Sequence, residues 1–122
     1  MSILSPLKKS LILYGDAQKS PASPSELIKY AELFLENGEF SDALNFYYEA
    51  GSEDGVRKVL SVAVSNGDFF FYHRANELMG WEMERNDLIT LAENAKTAGK
   101  LVFARNAYLE AGEDKKAEEI EK

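Results

Sequence analysis

Few residues of this 122-residue chain could carry out chemistry. The sequence contains no cysteine and a single histidine, His73, which excludes disulfides, thiolate metal sites and cysteine nucleophiles. His73 would have to be the base of any histidine-dependent mechanism, but it lies in the middle of a predicted helix and no nucleophile motif accompanies it. Paired acids such as Glu53-Asp54 and Glu118-Glu119 fall at predicted helix ends, where a solvated face is expected rather than acid–base catalysis. We therefore predict no catalytic residue.

Metals, cofactors and nucleic acids are not indicated either. The sequence has no His-based zinc motif and no Asp-rich calcium loop, and segment 51–55 carries acids where a phosphate loop needs lysine and exposed N–H groups. Acidic residues outnumber basic ones, so that the formal net charge is −7, and no segment forms a basic stripe. Because affinity for nucleic acid depends chiefly on lysine and arginine, we expect no nucleic-acid partner and no cofactor.

The start of the chain shows no membrane or export signal. The longest apolar run there, residues 11–14, is shorter than a signal-peptide core or a membrane span. An organelle transit peptide is a minor alternative, because the residues before Asp16 include serines and lysines but no acid. We expect no membrane insertion, and the absence of cysteine favours a cytoplasmic location.

Glycines mark an internal repeat. Gly38, Gly67 and Gly99 are each followed 13 positions later by a second glycine, and the repeats are spaced by 29 and 32 residues. The segment between paired glycines fits about three helical turns, and an amphipathic helix-length stretch precedes each first glycine. The apolar positions of these preceding stretches are Leu27, Tyr30, Ala31 and Phe34, then Val56, Val59, Leu60 and Ala63, then Leu88, Leu91, Ala92 and Ala95. Since one such hairpin cannot bury its apolar stripe alone, the pattern predicts three stacked hairpins.

Capping residues predict where the first helix of each hairpin begins. Ser23-Pro24-Ser25-Glu26 is a capping box with proline at the first helical position. Ser52 is the predicted cap of the second hairpin, and Asn86 or Asp87 that of the third.

The repeated residues resemble a known family. The matching positions are Ala31, Gly38, Ala43, Tyr47 and Ala50 in the first hairpin, and Ala92, Gly99, Ala104, Tyr108 and Ala111 in the third. This pattern is similar to that of tetratricopeptide repeats over roughly residues 26–112. The chain departs from it in its shorter spacing, in the missing loop proline, and in the middle hairpin. The endings Tyr-Glu-Ala-Gly and Tyr-Leu-Glu-Ala-Gly are also similar to the shorter helical-hairpin repeats of vesicle-coat and intraflagellar-transport scaffolds.

We predict an all-α, right-handed superhelix, or solenoid, of about three helical hairpins. The hairpins cover residues 26–52, 53–81 and 82–112. A short helix and a Ser/Pro-containing linker form residues 1–25, and a polar capping helix forms residues 113–122. In the first of these additions, Leu7, Leu11 and Tyr14 share one helix face that is suited to pack as a cap on the first hairpin.

The resemblance implies a non-enzymatic scaffold or adaptor that binds a peptide or helix of a partner protein. The groove-lining positions of the family fall on Ile28, Glu32, Leu35, Arg57, Ser61, Val64, Ile89, Glu93 and Lys96. This mixed set does not match the family's dicarboxylate clamp, because the two glutamates bracket only Arg57, with Lys58 beside it. An unoccupied solvent face is the plain alternative for these positions. Alternatives for the function are a homo-oligomeric structural subunit and an all-α enzyme with an unrecognised site.

A second candidate surface is aromatic. Ser41 and Asp42, three and four places after the first turn glycine, indicate an outward face. The same positions in the next two hairpins are Phe70-Phe71 and Val102-Phe103. These four residues form a predicted association patch, because large apolar groups are seldom left in water. The alternatives are that they belong to the core, or that Leu11, Ile12 and Tyr14 cover them.

Overall fold

The computed structural model describes residues 2–120, and the prediction of an all-α protein is confirmed. Within this range the chain forms eight helices and no strand. The helices are α1 Pro6–Tyr14, α2 Pro24–Glu36, α3 Phe40–Glu49, α4 Glu53–Asn66, α5 Phe69–Met79, α6 Arg85–Thr97, α7 Leu101–Glu110 and α8 Asp114–Glu118. Three residues of the predicted terminal segments 1–25 and 113–122 lie outside the described residues, namely Met1 and residues 121–122.

Two of the three predicted caps are confirmed. Ser23 forms the complete capping box with Glu26 at the start of α2, and the Ser52 hydroxyl accepts a hydrogen bond of 3.0 Å from the Gly55 N–H at the start of α4. The prediction of Asn86 or Asp87 as the third cap is wrong. Helix α6 begins earlier, at Arg85, and its cap residue Glu84 makes no side-chain capping bond.

Glycine turns end the six helices of the repeated region by one common hydrogen bond. Each of these glycines has φ between 66° and 80°, a left-handed conformation that glycine adopts without steric cost. In each turn the residue after the glycine donates its N–H to the carbonyl five residues earlier, over 2.8–2.9 Å. The six donors are Glu39, Ser52, Asp68, Trp81, Lys100 and Glu113. This bond satisfies a carbonyl that the helix end leaves without a partner.

The chain divides into two compact units, residues 1–59 and 60–122, and the division falls inside α4. In the first unit α2 packs against α3. Its core is made of Leu27, Ala31, Phe34, Ala43, Leu44, Phe46, Tyr47, Val56 and Val59. The small residues Ala31 and Ala43 are fully buried, as is expected where two helices approach closely.

In the second unit α7 packs against α5, α6 and α8. The core residues are Ala63, Phe71, Tyr72, Ala75, Leu88, Leu91, Ala92, Ala95, Ala104, Ala107, Tyr108, Ala111, Ala117 and Ile120. The polar segment after Gly112 contributes two apolar residues to this core, since Ala117 and Ile120 are both buried. The three repeat ranges stay a prediction.

Helix α1 has the predicted position but not the predicted packing face. Leu7, Leu11 and Tyr14, which were expected to pack on the first hairpin, are exposed. The opposite face holds the helix in place: Leu13 is buried, and the Lys9 ammonium forms a 2.9 Å ion pair with Asp42. Because Lys9 pairs with the half-buried Asp42 of α3, the face of α1 that carries Lys9 and Leu13 packs against the rest of the first unit, and the apolar stripe faces away from it.

The turn at Gly67 lies close to the backbone of Ala95 in α6, and substitution of the glycine measures this close approach. A Cβ at Gly67 would overlap the backbone of Ala95, whereas one at Gly80, which has a similar φ, would meet nothing. We expect Gly80→Ala to lower the free energy of unfolding by about 1 kcal/mol, the cost of the left-handed conformation. Gly67→Ala should cost about 1–3 kcal/mol more, because overlap is added to that cost. Urea unfolding of both variants measures the difference, and equal losses would contradict the close approach.

Candidate functional site

The predicted aromatic patch is only partly on the surface. Phe70 and Val102 are 65% and 72% exposed, but Phe71 is only 7% exposed and Phe103 is half-buried. The expectation that Phe71 faces outward is therefore wrong, because successive residues of a helix point about 100° apart. Asp42, on which that expectation depended, is polar because it pairs with Lys9 and not because it faces solvent.

Phe70 lines a shallow cavity between α5 and α7. The cavity has a volume of about 370 Å³. Its lining residues are Phe69, Phe70 and His73 of α5 with Asn106, Leu109 and Glu110 of α7. Val102 lies four residues before Asn106, so it shares that side of α7. The apolar surface therefore includes exposed side chains from both helices.

A second cavity, of about 390 Å³, continues this surface. It shares His73 and Glu110 with the first cavity and adds Asn76, Glu77, Trp81, Glu82 and Met83. The two cavities together form the α5–α7 groove. The loop after α5 supplies an aromatic and a thioether side chain, which are adaptable apolar groups at binding surfaces.

The loop after α5 is longer than its counterparts, and Tyr72 holds it. Five residues separate α5 from α6, whereas three separate α3 from α4 and α7 from α8. The Tyr72 hydroxyl donates to the Asp87 carboxylate over 3.2 Å and accepts the Glu84 N–H over 3.4 Å. Tyr72 is 1% exposed, so a buried side chain of α5 holds the end of the loop, at Glu84, and the first turn of α6.

The α5–α7 groove is acidic. Of the described residues that line it, three are glutamates and none is lysine or arginine. Glu77 is on α5, Glu82 is in the loop and Glu110 is at the end of α7. An apolar surface with acids around it favours apolar ligands that carry positive charge.

His73 is an exposed residue of α5 that lines both cavities. Its imidazole lies 6.1 Å from the Phe69 ring, centroid to centroid. Within residues 2–120, no group of three or more histidine, aspartate or glutamate side chains is placed to hold a metal ion. His73 is therefore accessible at the surface that the two cavities share.

The residues predicted to line a concave groove lie on the first helices of the hairpins. Glu32, Arg57, Ser61, Glu93 and Lys96 are exposed, and the four aliphatic residues Ile28, Leu35, Val64 and Ile89 are half-buried. In the first unit, Glu32 lies 3.9 Å from the Lys58 ammonium. In the second unit, the Asn94 amide donates to the Val64 carbonyl over 2.9 Å, which joins α6 to the end of α4. The role of these residues stays a prediction.

Sequence reasoning missed the loop residues and Leu109. A signal was present, since the second repeat spacing exceeds the first by three residues and the only tryptophan follows Gly80. An insertion that carries a large aromatic residue indicates a surface feature that the regular repeat lacks.

Neither a protein-family model, nor a curated protein, nor a solved structure matches the chain. The resemblance to tetratricopeptide repeats therefore stays a prediction. Among the helices of residues 2–120, none has both the length and the apolar character that a membrane crossing needs.

Tyr72 makes the stability of the fold depend on pH in the alkaline range. Burial, aided by the Asp87 carboxylate, raises the pKa of Tyr72 from the ordinary 10.0 to about 12. The folded chain therefore keeps this proton to higher pH than the unfolded chain. The associated stabilisation is complete below pH 10.0 and is lost as the pH rises through about 12.

We expect Tyr72→Phe to lose about 1 kcal/mol at neutral pH, because two hydrogen bonds to the loop and α6 disappear. The variant should also show a smaller fall in stability between pH 10.0 and about 12 than the wild type. Chemical unfolding at a series of pH values measures both effects. Tyr14→Phe, which removes an exposed phenol, is the control. An unchanged alkaline fall in Tyr72→Phe would show that this hydroxyl does not contribute.

Proposed function

We propose that this protein is a non-enzymatic interaction module that binds an apolar helix or peptide of a partner protein in the α5–α7 groove. The observation that supports this proposal is the exposure of Phe70, Val102 and Leu109 on two packed helices. Large apolar side chains that gather beside a cavity are typical of protein-binding surfaces.

The energetics favour Phe70 as an anchor. Burial of an exposed phenylalanine side chain is worth about 1.5–3 kcal/mol, and aromatic residues dominate the energetics of many interfaces. Phe70 also borders the first cavity, so a partner side chain placed there would contact the ring as well as Leu109. One such contact would account for a large share of a modest affinity.

Composition supports binding over catalysis. The lining of the groove combines aromatic, aliphatic and amide side chains with glutamates, and the groups that border it make hydrogen bonds that hold the loop instead of activating a nucleophile. The Tyr72 hydroxyl, for example, donates to Asp87 and accepts the Glu84 N–H. The Asn76 amide donates within α5 to the Tyr72 carbonyl over 2.9 Å. We therefore propose that the protein is not an enzyme.

Two finer predictions stand beside this proposal. The same glycine-turn hydrogen bond in all three hairpins supports a tetratricopeptide-like repeat, for which the sequence predicts a right-handed superhelix and a concave groove. A cytoplasmic location is supported by the absence of cysteine from the sequence.

Replacement of Phe70 tests the proposed function. Affinity capture with the wild-type chain should retain specific proteins from a lysate of the source cell. Phe70→Asp should lose them by at least about tenfold, since a charge at the anchor removes more than about 1.4 kcal/mol of binding. Tyr48→Asp, which changes an exposed aromatic residue of α3, is the matched control and should retain them.

Circular dichroism must show that Phe70→Asp and Tyr48→Asp keep the helical content of the wild type. Equal retention by the two variants would contradict a binding role for the groove. Turnover of a substrate that His73→Ala abolishes would instead favour an enzyme.

A further inference from the structure

We propose that the α5–α7 groove receives helix α1 from a second copy of this chain. This inference rests on the proposed function, because it names the helix that the groove binds.

Helix α1 presents an apolar stripe whose two ends are well exposed and whose middle residue, Leu11, is 38% exposed. Leu7, Leu11 and Tyr14 are spaced by four and three residues, which places them on one helix face. Leu7 is 69% and Tyr14 is 62% exposed, and Ile3, just before the helix, is exposed as well. This spacing is the one by which amphipathic helices place side chains in an apolar groove.

The helix is fixed before any partner binds. Besides its ion pair with Asp42, Lys9 lies 5.6 Å above the Phe34 ring centroid, and the Ala22 N–H donates to the Ile12 carbonyl over 2.9 Å. The stripe is thus held on a folded helix, so its binding does not have to include the cost of ordering that segment.

Charge is complementary between the two surfaces. Residues 2–15 include Lys8 and Lys9 but no acidic residue. Lys9 is engaged with Asp42, while Lys8 is exposed beside Leu7. The groove, with its three glutamates and no lysine or arginine in its lining, attracts such a helix, whereas an acidic segment of another protein would be repelled.

Dimensions agree as well. The nine residues of α1 span about 14 Å, and the ten residues of α7 span about 15 Å, at the usual rise per residue. The α5 side of the groove, from Phe69 to Glu77, spans about 12 Å, and Leu7 and Tyr14 are about 10 Å apart along α1, so the stripe fits the groove.

The stripe and the groove are different surfaces, so each copy can donate its own α1 and accept the α1 of another copy. Each copy that donates α1 still has a free groove, and each copy that accepts it still has a free stripe. Two copies that exchange α1 reciprocally close a two-fold dimer, whereas one-way contacts generate rings or open chains.

Sedimentation velocity over a range of protein concentrations tests the proposal. The wild-type chain should associate as its concentration rises. Leu7→Glu and Phe70→Asp should each remain monomeric at concentrations where the wild type associates. Leu33→Glu, which alters an exposed leucine of α2, is the matched control and should behave as the wild type.

An equimolar mixture of Leu7→Glu and Phe70→Asp gives the decisive result. The first variant has an intact groove and the second an intact stripe, so the mixture should form a dimer and nothing larger. Lys8→Glu should weaken wild-type association, whereas Lys29→Glu, the same charge change on α2, should have little effect. All variants must keep the wild-type circular dichroism.

Several results would overturn the proposal: a wild-type chain that stays monomeric, association that survives Leu7→Glu or Phe70→Asp, or a mixture that remains monomeric. A monomeric wild type whose captured proteins are still lost on Phe70→Asp would reject the second copy as the occupant and leave the proposed function intact. A monomeric wild type whose captured proteins are retained equally by Phe70→Asp and Tyr48→Asp would reject both proposals.

Discussion

The hydrogen bond that closes each glycine turn is the constraint on which the rest of this structure depends. Six times, the residue after a left-handed glycine donates to the carbonyl five residues earlier, and each time a helix ends and the chain reverses or turns toward the next hairpin. Because the two glycines of each pair are 13 residues apart, α3, α5 and α7 have similar lengths of ten or eleven residues. Ala43 and Ala104, each five residues after the first glycine of its pair, are both fully buried.

The middle hairpin departs from this regularity, and the candidate site is at the departure. Where the first and third hairpins have an alanine followed four residues later by a buried tyrosine, the middle one has Tyr72 followed by Asn76. The aromatic ring has moved one helical turn toward the start of α5. From there its hydroxyl reaches Asp87 and the backbone of Glu84, and the longer loop carries Trp81 to the groove.

Local signals in the sequence predicted the helices and their turns, because capping boxes, glycines and apolar spacing act over a few residues. They predicted packing faces less well. Asp42 indicated a solvent face, but it forms an ion pair with Lys9 of α1. Because that ion pair lies at the interface, the apolar stripe of α1 lies on the opposite side of the helix from the one that packs. The α5–α7 groove depends on the longer loop after α5 and on the contact between α5 and α7. These two helices are separated in the sequence by α6, so a pattern that covers a few residues does not predict their contact. Of the predicted patch, Phe70 and Val102 are on the surface because each stands three residues after a turn glycine.

The glycine turns also bear on how fast the chain reaches its fold. Each closing bond joins residues five apart, and the packed pairs α2–α3 and α6–α7 are neighbours in sequence. Most ordering can thus be completed by closing short loops, whose entropic cost is small. Chains whose contacts are mainly local fold in microseconds to milliseconds. Synthesis on a ribosome is far slower than that, so the first compact unit, residues 1–59, has time to form while α7 is still being made.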